Sequence, residues 1–305
     1  MKQIRFGQTE EEVSAVALGC MRLNQAADPV KVIETAVEQG INFVDHADIY
    51  GEGQCETIFK EALSKTSISR DQLFIQTKAG IDKAKKTFDF SKEYLTQAIE
   101  GSMRRLGVDY LDSFLLHRPD TLFEAEEVAE VFTKMHKEGK IRYFGVSNQN
   151  VGQVELLKSY LDQPLQANQL QFGLKHTQMI DQGIYVNMED SRATNRDGGI
   201  LEYSRHHQMT IQAWSPYQYG YFEGVFIGND NFKDLNRVLD KIAPRYTITP
   251  TGLATAWILR HPANMQVIAG TMTPDRIKQI ADASSVKITR QEWYELYQAA
   301  GNELP

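Results

Sequence analysis

The sequence predicts an α/β protein, a parallel (β/α)8 TIM barrel with an N-terminal β-hairpin and long loops after strands six and seven, in one domain over residues 1–305. Three observations carry this. Eight short apolar runs are separated by stretches whose apolar residues return at helical spacing, the order of a parallel barrel rather than of a sandwich or bundle. A length of 305 residues suits a barrel of ~250 residues plus loops. The competing open, doubly wound sheet places Gly-x-Gly-x-x-Gly after its first strand. Here the first run leads into Gly19-Cys20-Met21-Arg22-Leu23, and neither that fingerprint nor a Gly-x-x-x-x-Gly-Lys-Ser/Thr loop occurs.

Ile4-Arg5-Phe6 and Val13-Ser14 flank a polar turn at Gly7-Gln8-Thr9 and make the hairpin. Val16-Ala17-Leu18 is strand one, ending at Gly19. Pro29 opens a helix with Val32, Ile33, Ala36 and Val37 on one face, and Gly40 closes it. Strand two is 41–44, followed by a helix near 56–63 and strand three at 73–76. Ser91, Tyr94, Ile99, Met103 and Leu106 mark the third helix, stopped at Gly107 before strand four at 111–116. The fourth helix runs through Val128, Val131, Phe132 and Met135 to Gly139. Strand five at 141–146, a helix at 151–160 and strand six at 165–170 follow. A long loop at 173–197 leads to a helix at 200–207 and strand seven at 210–214. After a second long segment, 215–231, come a helix at 250–260, strand eight at 266–269 and a helix at 274–283. No linker rich in Pro, Gly or Ser divides the chain.

A net charge of -7, with 42% apolar and 24% charged residues, argues against a nucleic-acid or anionic-membrane surface. The one basic cluster, Lys83, Lys85 and Lys86, is flanked by Asp82 and Asp89 and reads as a solvated loop. Two cysteines, Cys20 and Cys55, make neither a disulfide framework nor a four-thiolate metal site. The first residues lack the apolar core of a signal peptide, and no run approaches the ~18 apolar residues of a membrane span. The expectation is a cytoplasmic protein, monomeric or weakly homo-oligomeric. No metal site is expected: His206 and His207 are adjacent in a helix and point apart, and His136 and His176 lack partners at ligand spacing, so all read as surface histidines.

Four residues stand at or just past strand ends: Asp45 after Ile41-Asn42-Phe43-Val44, Tyr50 five residues on, Lys78 after Leu73-Phe74-Ile75-Gln76-Thr77, and His117 after Ser113-Phe114-Leu115-Leu116. In consecutive strands of one barrel they meet at the C-terminal mouth, where this architecture keeps its chemistry. A phenol, an ammonium, a carboxylate and an imidazole there can deliver a proton to a carbonyl oxygen. A free tyrosine has a pKa of about 10. A cation ~4 Å away favours the phenolate by ~4 kcal/mol at an effective dielectric of ~20, with desolvation opposing. Lys78 is that cation, Asp45 keeps it charged, and a neutral His117 donates to the carbonyl oxygen.

The motifs around these positions resemble those of the aldo-keto reductase family, from the hairpin to the last barrel helix. They are Asn42-Phe43-Val44-Asp45-His46-Ala47-Asp48-Ile49-Tyr50-Gly51, Gln76-Thr77-Lys78, the stretch from Leu106-Gly107-Val108-Asp109 to Leu116-His117-Arg118-Pro119-Asp120, Gly145-Val146-Ser147-Asn148, Asn168-Gln169, Ala213-Trp214-Ser215-Pro216, and Ile268-Ala269-Gly270-Thr271-Met272-Thr273-Pro274-Asp275-Arg276. The nearest likeness is to its bacterial, uncharacterised oxidoreductase branch. The resemblance implies that Asp45, Tyr50, Lys78 and His117 are the catalytic tetrad of a carbonyl reductase taking hydride from NADP(H), with NAD(H) second. It implies that Ser147, Asn148 and Gln169 hold the nicotinamide carboxamide, an amide matched by donor-and-acceptor side chains. Trp214, in place of a more usual tyrosine, either stacks on the ring or is core. Met21 joins the cofactor set, and Ser215 and Tyr217 cover the pyrophosphate. Thr271 and Arg276 face the adenosine 2'-phosphate, with Gln279 one turn on at the adenine edge. Gly270 departs from the pattern, standing where many relatives carry a lysine. The other function considered is a nucleotide-binding regulatory subunit with little turnover, like the family's channel-associated members. The partner expected is a small-molecule carbonyl, in a pocket walled by 173–197 and by the aromatic-rich 217–230.

Overall fold

The computed structural model describes residues 1–305. Its centre is a closed barrel of eight parallel strands: Val16–Gly19, Phe43–Asp45, Phe74–Ala79, Leu111–Leu116, Ile141–Ser147, Leu165–Gln171, Thr210–Trp214 and Met265–Ala269. They pair in chain order, and the eighth closes onto the first with Val267 opposite Val16. Strands covered on both faces read as unbroken apolar runs, and Leu111, Phe114, Leu115 and Leu116 are all fully buried.

The hairpin pairs Gln3–Arg5 with Glu12–Ser14 and plugs the N-terminal end of the barrel. Phe6 inserts against Phe43 and Phe74, with ring centroids at 5.8 and 4.9 Å. Both partners start their strands, so this apolar plug lies at the end opposite the mouth. Gly145 is needed midway up the fifth strand: a Cβ there would lie 2.5 Å from Leu115 Cδ2 and 2.7 Å from the Ala167 carbonyl.

A helix follows every barrel strand, and some of the helix starts are capped by a side chain. Asp28 caps Pro29–Glu38, Ser91 caps Lys92–Leu106, and Thr249 caps Pro250–Leu259. Gly107, left-handed at φ 67°, stops the long third helix.

Three helices lie outside the sequence expectation. Gln178–Ile184 interrupts the long loop after strand six. Lys233–Ile242 follows the segment after strand seven and buries Leu235, Val238, Leu239 and Ile242. Arg290–Ala299 starts with a capping box between Thr289 and Glu292. This last helix docks through Trp293, stacked on Trp257 at 4.8 Å, and each indole N–H donates to the other residue's carbonyl. The segment after strand seven also folds into a small hairpin, Gln218–Tyr219 with Gly224–Val225. No helix is long and apolar enough to cross a membrane.

Candidate active site

Side chains alternate along a strand, so Gln76 and Lys78 both point into the barrel. Asp45 is in register with Gln76 on the neighbouring strand, and Lys78 Nζ lies 2.6 Å from Asp45 Oδ1. Both groups are almost completely buried. The same Asp45 oxygen accepts from Gln76 Nε2 at 2.7 Å and from Gln169 Nε2 at 3.0 Å. Behind it runs a chain of buried amides. Gln76 donates to Gln212 at 2.9 Å, Gln212 to Gln266 at 2.8 Å, and Gln266 to the Ser14 carbonyl at 2.8 Å. Polar groups inside a barrel are tolerable only when satisfied in this way.

Beyond Asp45 the chain turns out over the mouth. The backbone is left-handed at Gly51, Glu52 and Gly53, which turns it back into the helix Gln54–Leu63. Tyr50 stands edge-on to His117, centroids 5.9 Å apart, and Lys78 Nζ lies 5.3 Å from the Tyr50 ring centre. All four predicted catalytic side chains therefore gather at one end of the barrel.

The electrostatics correct one expectation. Burial, followed by the Asp45 carboxylate, pushes the Tyr50 phenol well above its usual range, whereas the sequence argument has Lys78 lowering it. The ammonium sits over the ring and its charge is answered by Asp45. Burial pulls Lys78 down while Asp45 holds it up. Burial, helped by Lys78 and Arg118, keeps His117 well below the usual histidine range, so its ring is neutral. No hydrogen bond occupies its buried Nδ1. The site thus presents a protonated phenol beside a neutral imidazole.

A cavity of about 670 Å3 opens over these groups. It is lined by Asp45, Tyr50 and His117, and by Met21, Ser147, Asn148, Gln169, Trp214, Ser215, Tyr217, Thr271 and Arg276 from the predicted cofactor set. Lys78 is fully buried behind it. Gln279 is not in its wall; a Cβ on Gly252 would lie 3.1 Å from the Gln279 backbone carbonyl. Ser147, Asn148 and Gln169 form one connected group: Asn148 Nδ2 donates to Ser147 Oγ at 2.7 Å, and Ser147 Oγ donates to the Gln169 carbonyl at 3.0 Å. Trp214 is wall, not core. Its indole N–H donates to Asn148 Oδ1 at 3.0 Å, and Phe222 stacks on it at 5.9 Å. Tyr217 hydrogen-bonds Thr255 at 2.8 Å.

Several wall residues escaped the sequence argument. Arg22 follows Met21 directly, and Arg118 follows His117. Lys83, read as solvated, lines the cavity and donates to the Ile49 carbonyl at 3.2 Å. His176, read as a surface residue, is half-buried in a second cavity.

His46, beside Asp45, is fully buried with both ring nitrogens unpartnered and its ring edge-on to Phe59 at 4.6 Å. Burial and the Lys78 charge push its pKa down to about 3. A group whose folded pKa lies below its unfolded value near 6.5 gives stability that is complete above that pH and lost as pH falls. His46 should therefore steepen acid unfolding between pH 6.5 and 3, by ~1.4 kcal/mol per pH unit at most. Urea melts of the parent and His46→Phe over that range test it. Parallel stability curves for the two would refute the assignment.

Comparison with known proteins bears on the family and the fold. Residues 15–300 match the model of the Aldo/keto reductase family. A 6-dehydroglucose reductase of Agrobacterium fabrum is 33% identical, the alignment covering 96% of each chain. Oxidoreductase YdhF of Escherichia coli is 31% identical over 100% of both. Among solved structures, the thermostable aldo-keto reductase Tm1743 in complex with epalrestat superposes with a TM-score of 0.77 at 24% identity, covering 98% of this chain and 100% of that one. An aldo-keto reductase from Klebsiella pneumoniae in complex with NADPH gives a TM-score of 0.76 at 24% identity, covering 97% and 94%. The family model spans nearly the whole chain, and the chain belongs to the aldo/keto reductase family.

Proposed function

We propose that the protein is an NADPH-dependent reductase of aldehydes or ketones with Tyr50 as proton donor. The observation that carries this reading is the gathering of Tyr50, His117 and the Lys78–Asp45 pair, at 2.6 Å, under one cavity. The residues present suit a dinucleotide phosphate. Arg22 and Arg276 bring positive charge to the wall, and a Cβ built on Gly270 meets nothing within 4 Å, so the backbone there is open to a ligand. When bound, the reduced nicotinamide supplies the hydride.

The chain's own groups do the rest. His117, neutral, donates an N–H to the carbonyl oxygen and fixes its direction. Tyr50 holds its proton through neutral pH and releases it to that oxygen as negative charge develops there. Lys78 stabilises the phenolate left behind, and Asp45 keeps the ammonium in place. Trp214 and Phe222, stacked on each other, form one side of the cavity.

Titration of cofactor fluorescence with NADPH and NADH, then a carbonyl panel followed at the cofactor absorbance, tests the reading. The relatives named as 6-dehydroglucose reductases make a hydroxylated aldehyde the first compound for that panel. Absence of NADPH oxidation with every carbonyl would overturn it. The 2'-phosphate assignment has its own test. Arg276→Ala should weaken NADPH binding ~10-fold and leave NADH nearly unchanged, the scale of one charge-assisted contact. Gly270→Lys should move the ratio the other way. Equal losses for both cofactors in Arg276→Ala would remove that residue from the phosphate site.

A further inference from the structure

A second cavity of about 360 Å3 adjoins the first. Arg118, Asn148, Trp214 and Tyr221 line both, so the two spaces share a wall. Arg118 stands at their junction, one residue after His117. The remaining walls come from the helix start after strand five, the end of strand six and the long segment that follows.

The chemistry of this space differs from that of the main cavity. Gln149, Gln153 and Gln171 line it together with Arg118 and Arg196. Gln149 is 3% exposed, yet its Oε1 has no hydrogen-bond partner. Gln153 uses its Oε1 on the Asn150 amide at 2.9 Å, and Gln171 its Nε2 on the Gly220 carbonyl at 3.2 Å. That leaves Gln153 Nε2 and Gln171 Oε1 for a ligand, with the buried Gln149 amide oxygen unpartnered, and amide ends suit hydroxyl groups.

The two guanidinium groups are unanswered. Neither Arg118 nor Arg196 forms an ion pair. Arg118 lies over the Trp214 ring, 5.5 Å from its centre, which fixes the planar fork without spending its N–H donors. The one carboxylate in the wall, Asp197, accepts from Gln182 Nε2 at 2.7 Å and from the backbone amides of Gly199 and Ile200 at 3.0 and 3.1 Å. It holds the start of the next helix.

We propose that this second cavity is the subsite for the far end of the carbonyl substrate, and that it selects an acidic polyol. Arg118 takes a carboxylate or phosphate, and the glutamines take hydroxyls between that anion and the carbonyl at His117. The proposal rests on the reductase reading and adds to it a substrate class and a specificity-determining residue.

The test measures kcat/KM with NADPH for two matched pairs, glyceraldehyde 3-phosphate with glyceraldehyde and succinic semialdehyde with butanal. The acidic member of at least one pair should be favoured by about 10–100-fold through KM, the scale of a charge-assisted contact. Which pair responds tells phosphate from carboxylate. In Arg118→Gln that ratio should fall toward one, and Arg118→Lys, which keeps the charge and guards against a fold defect, should retain part of it. No acidic preference in the parent, or the same preference in Arg118→Gln, overturns the proposal. If no aldehyde is reduced, the reductase reading has failed instead. The subsite is then tested alone by calorimetric titration of glycerol 3-phosphate and succinate into the protein with NADP+. Binding lost in Arg118→Gln supports it, and no binding refutes it.

Discussion

Replacing Tyr50 with phenylalanine should lower kcat by ~100-fold or more, the lower end of what a positioned general acid contributes, while NADPH still binds. The substitution removes one oxygen and keeps the ring that stands edge-on to His117 at 5.9 Å and beneath the Lys78 ammonium at 5.3 Å. Packing is therefore preserved, and the loss falls on proton delivery. Because the phenol is held above its usual range by burial and by Asp45, it stays protonated across neutral pH. The parent should then show no loss of kcat on the alkaline side until well past pH 8. Stopped-flow measurement of a single turnover, with cofactor affinity read separately by fluorescence, checks both parts. A Tyr50→Phe enzyme with an unchanged chemical step would remove Tyr50 from the donor role and leave His117 as the remaining acid.

The strand ends were legible for a physical reason. A parallel barrel buries both faces of each strand, so Leu115-Leu116 or Val267-Ile268 announces a strand without alternation, and its chemistry sits on the next polar residue. The helices Lys233–Ile242 and Arg290–Ala299 were equally legible and were missed: Leu235, Val238, Leu239 and Ile242 lie at helical spacing, and Thr289 with Glu292 is a capping box. The amide chain through Gln76, Gln212 and Gln266 was not legible. A glutamine inside a strand run looks like a solvent-facing residue until the barrel closes and brings strands three, seven and eight to a common axis. The second cavity was hidden for a related reason. Arg118, Gln149 and Gln171 come from three different strand ends, and the segment 173–197 that completes the wall has no periodicity to place it. The sign of the Tyr50 shift was missed because the Lys78 charge was ranked above burial, whereas burial is the larger effect and the Asp45 carboxylate adds to it.

Substituting Asp45 with asparagine should cost both activity and stability, for separable reasons. Asp45 Oδ1 accepts from Lys78, Gln76 and Gln169 at 2.6, 2.7 and 3.0 Å. Asparagine keeps an acceptor but removes the charge, leaving an ammonium with 0% exposure and no counterion. Breaking a buried pair in this way costs about 3–5 kcal/mol. With ~2.1 cal/mol/K of unfolding entropy per residue, a chain of this length would lose roughly 5–8 °C in Tm. The direction with pH is fixed. Burial already lowers Lys78 and Asp45 is what raises it, so in Asp45→Asn the folded pKa drops further below the unfolded value of about 10.4. The penalty is then largest near neutrality and fades as pH rises through about 10.4, above which the amine is neutral in both states. The Tm gap between parent and variant should narrow over that range. Asp45→Asn/Lys78→Met removes both charges and should recover most of the lost stability. It should not recover turnover, because the phenolate of Tyr50 then has no cation beside it. A gap independent of pH, or a double variant no more stable than Asp45→Asn, would mean that the pair is not what holds this end of the barrel together.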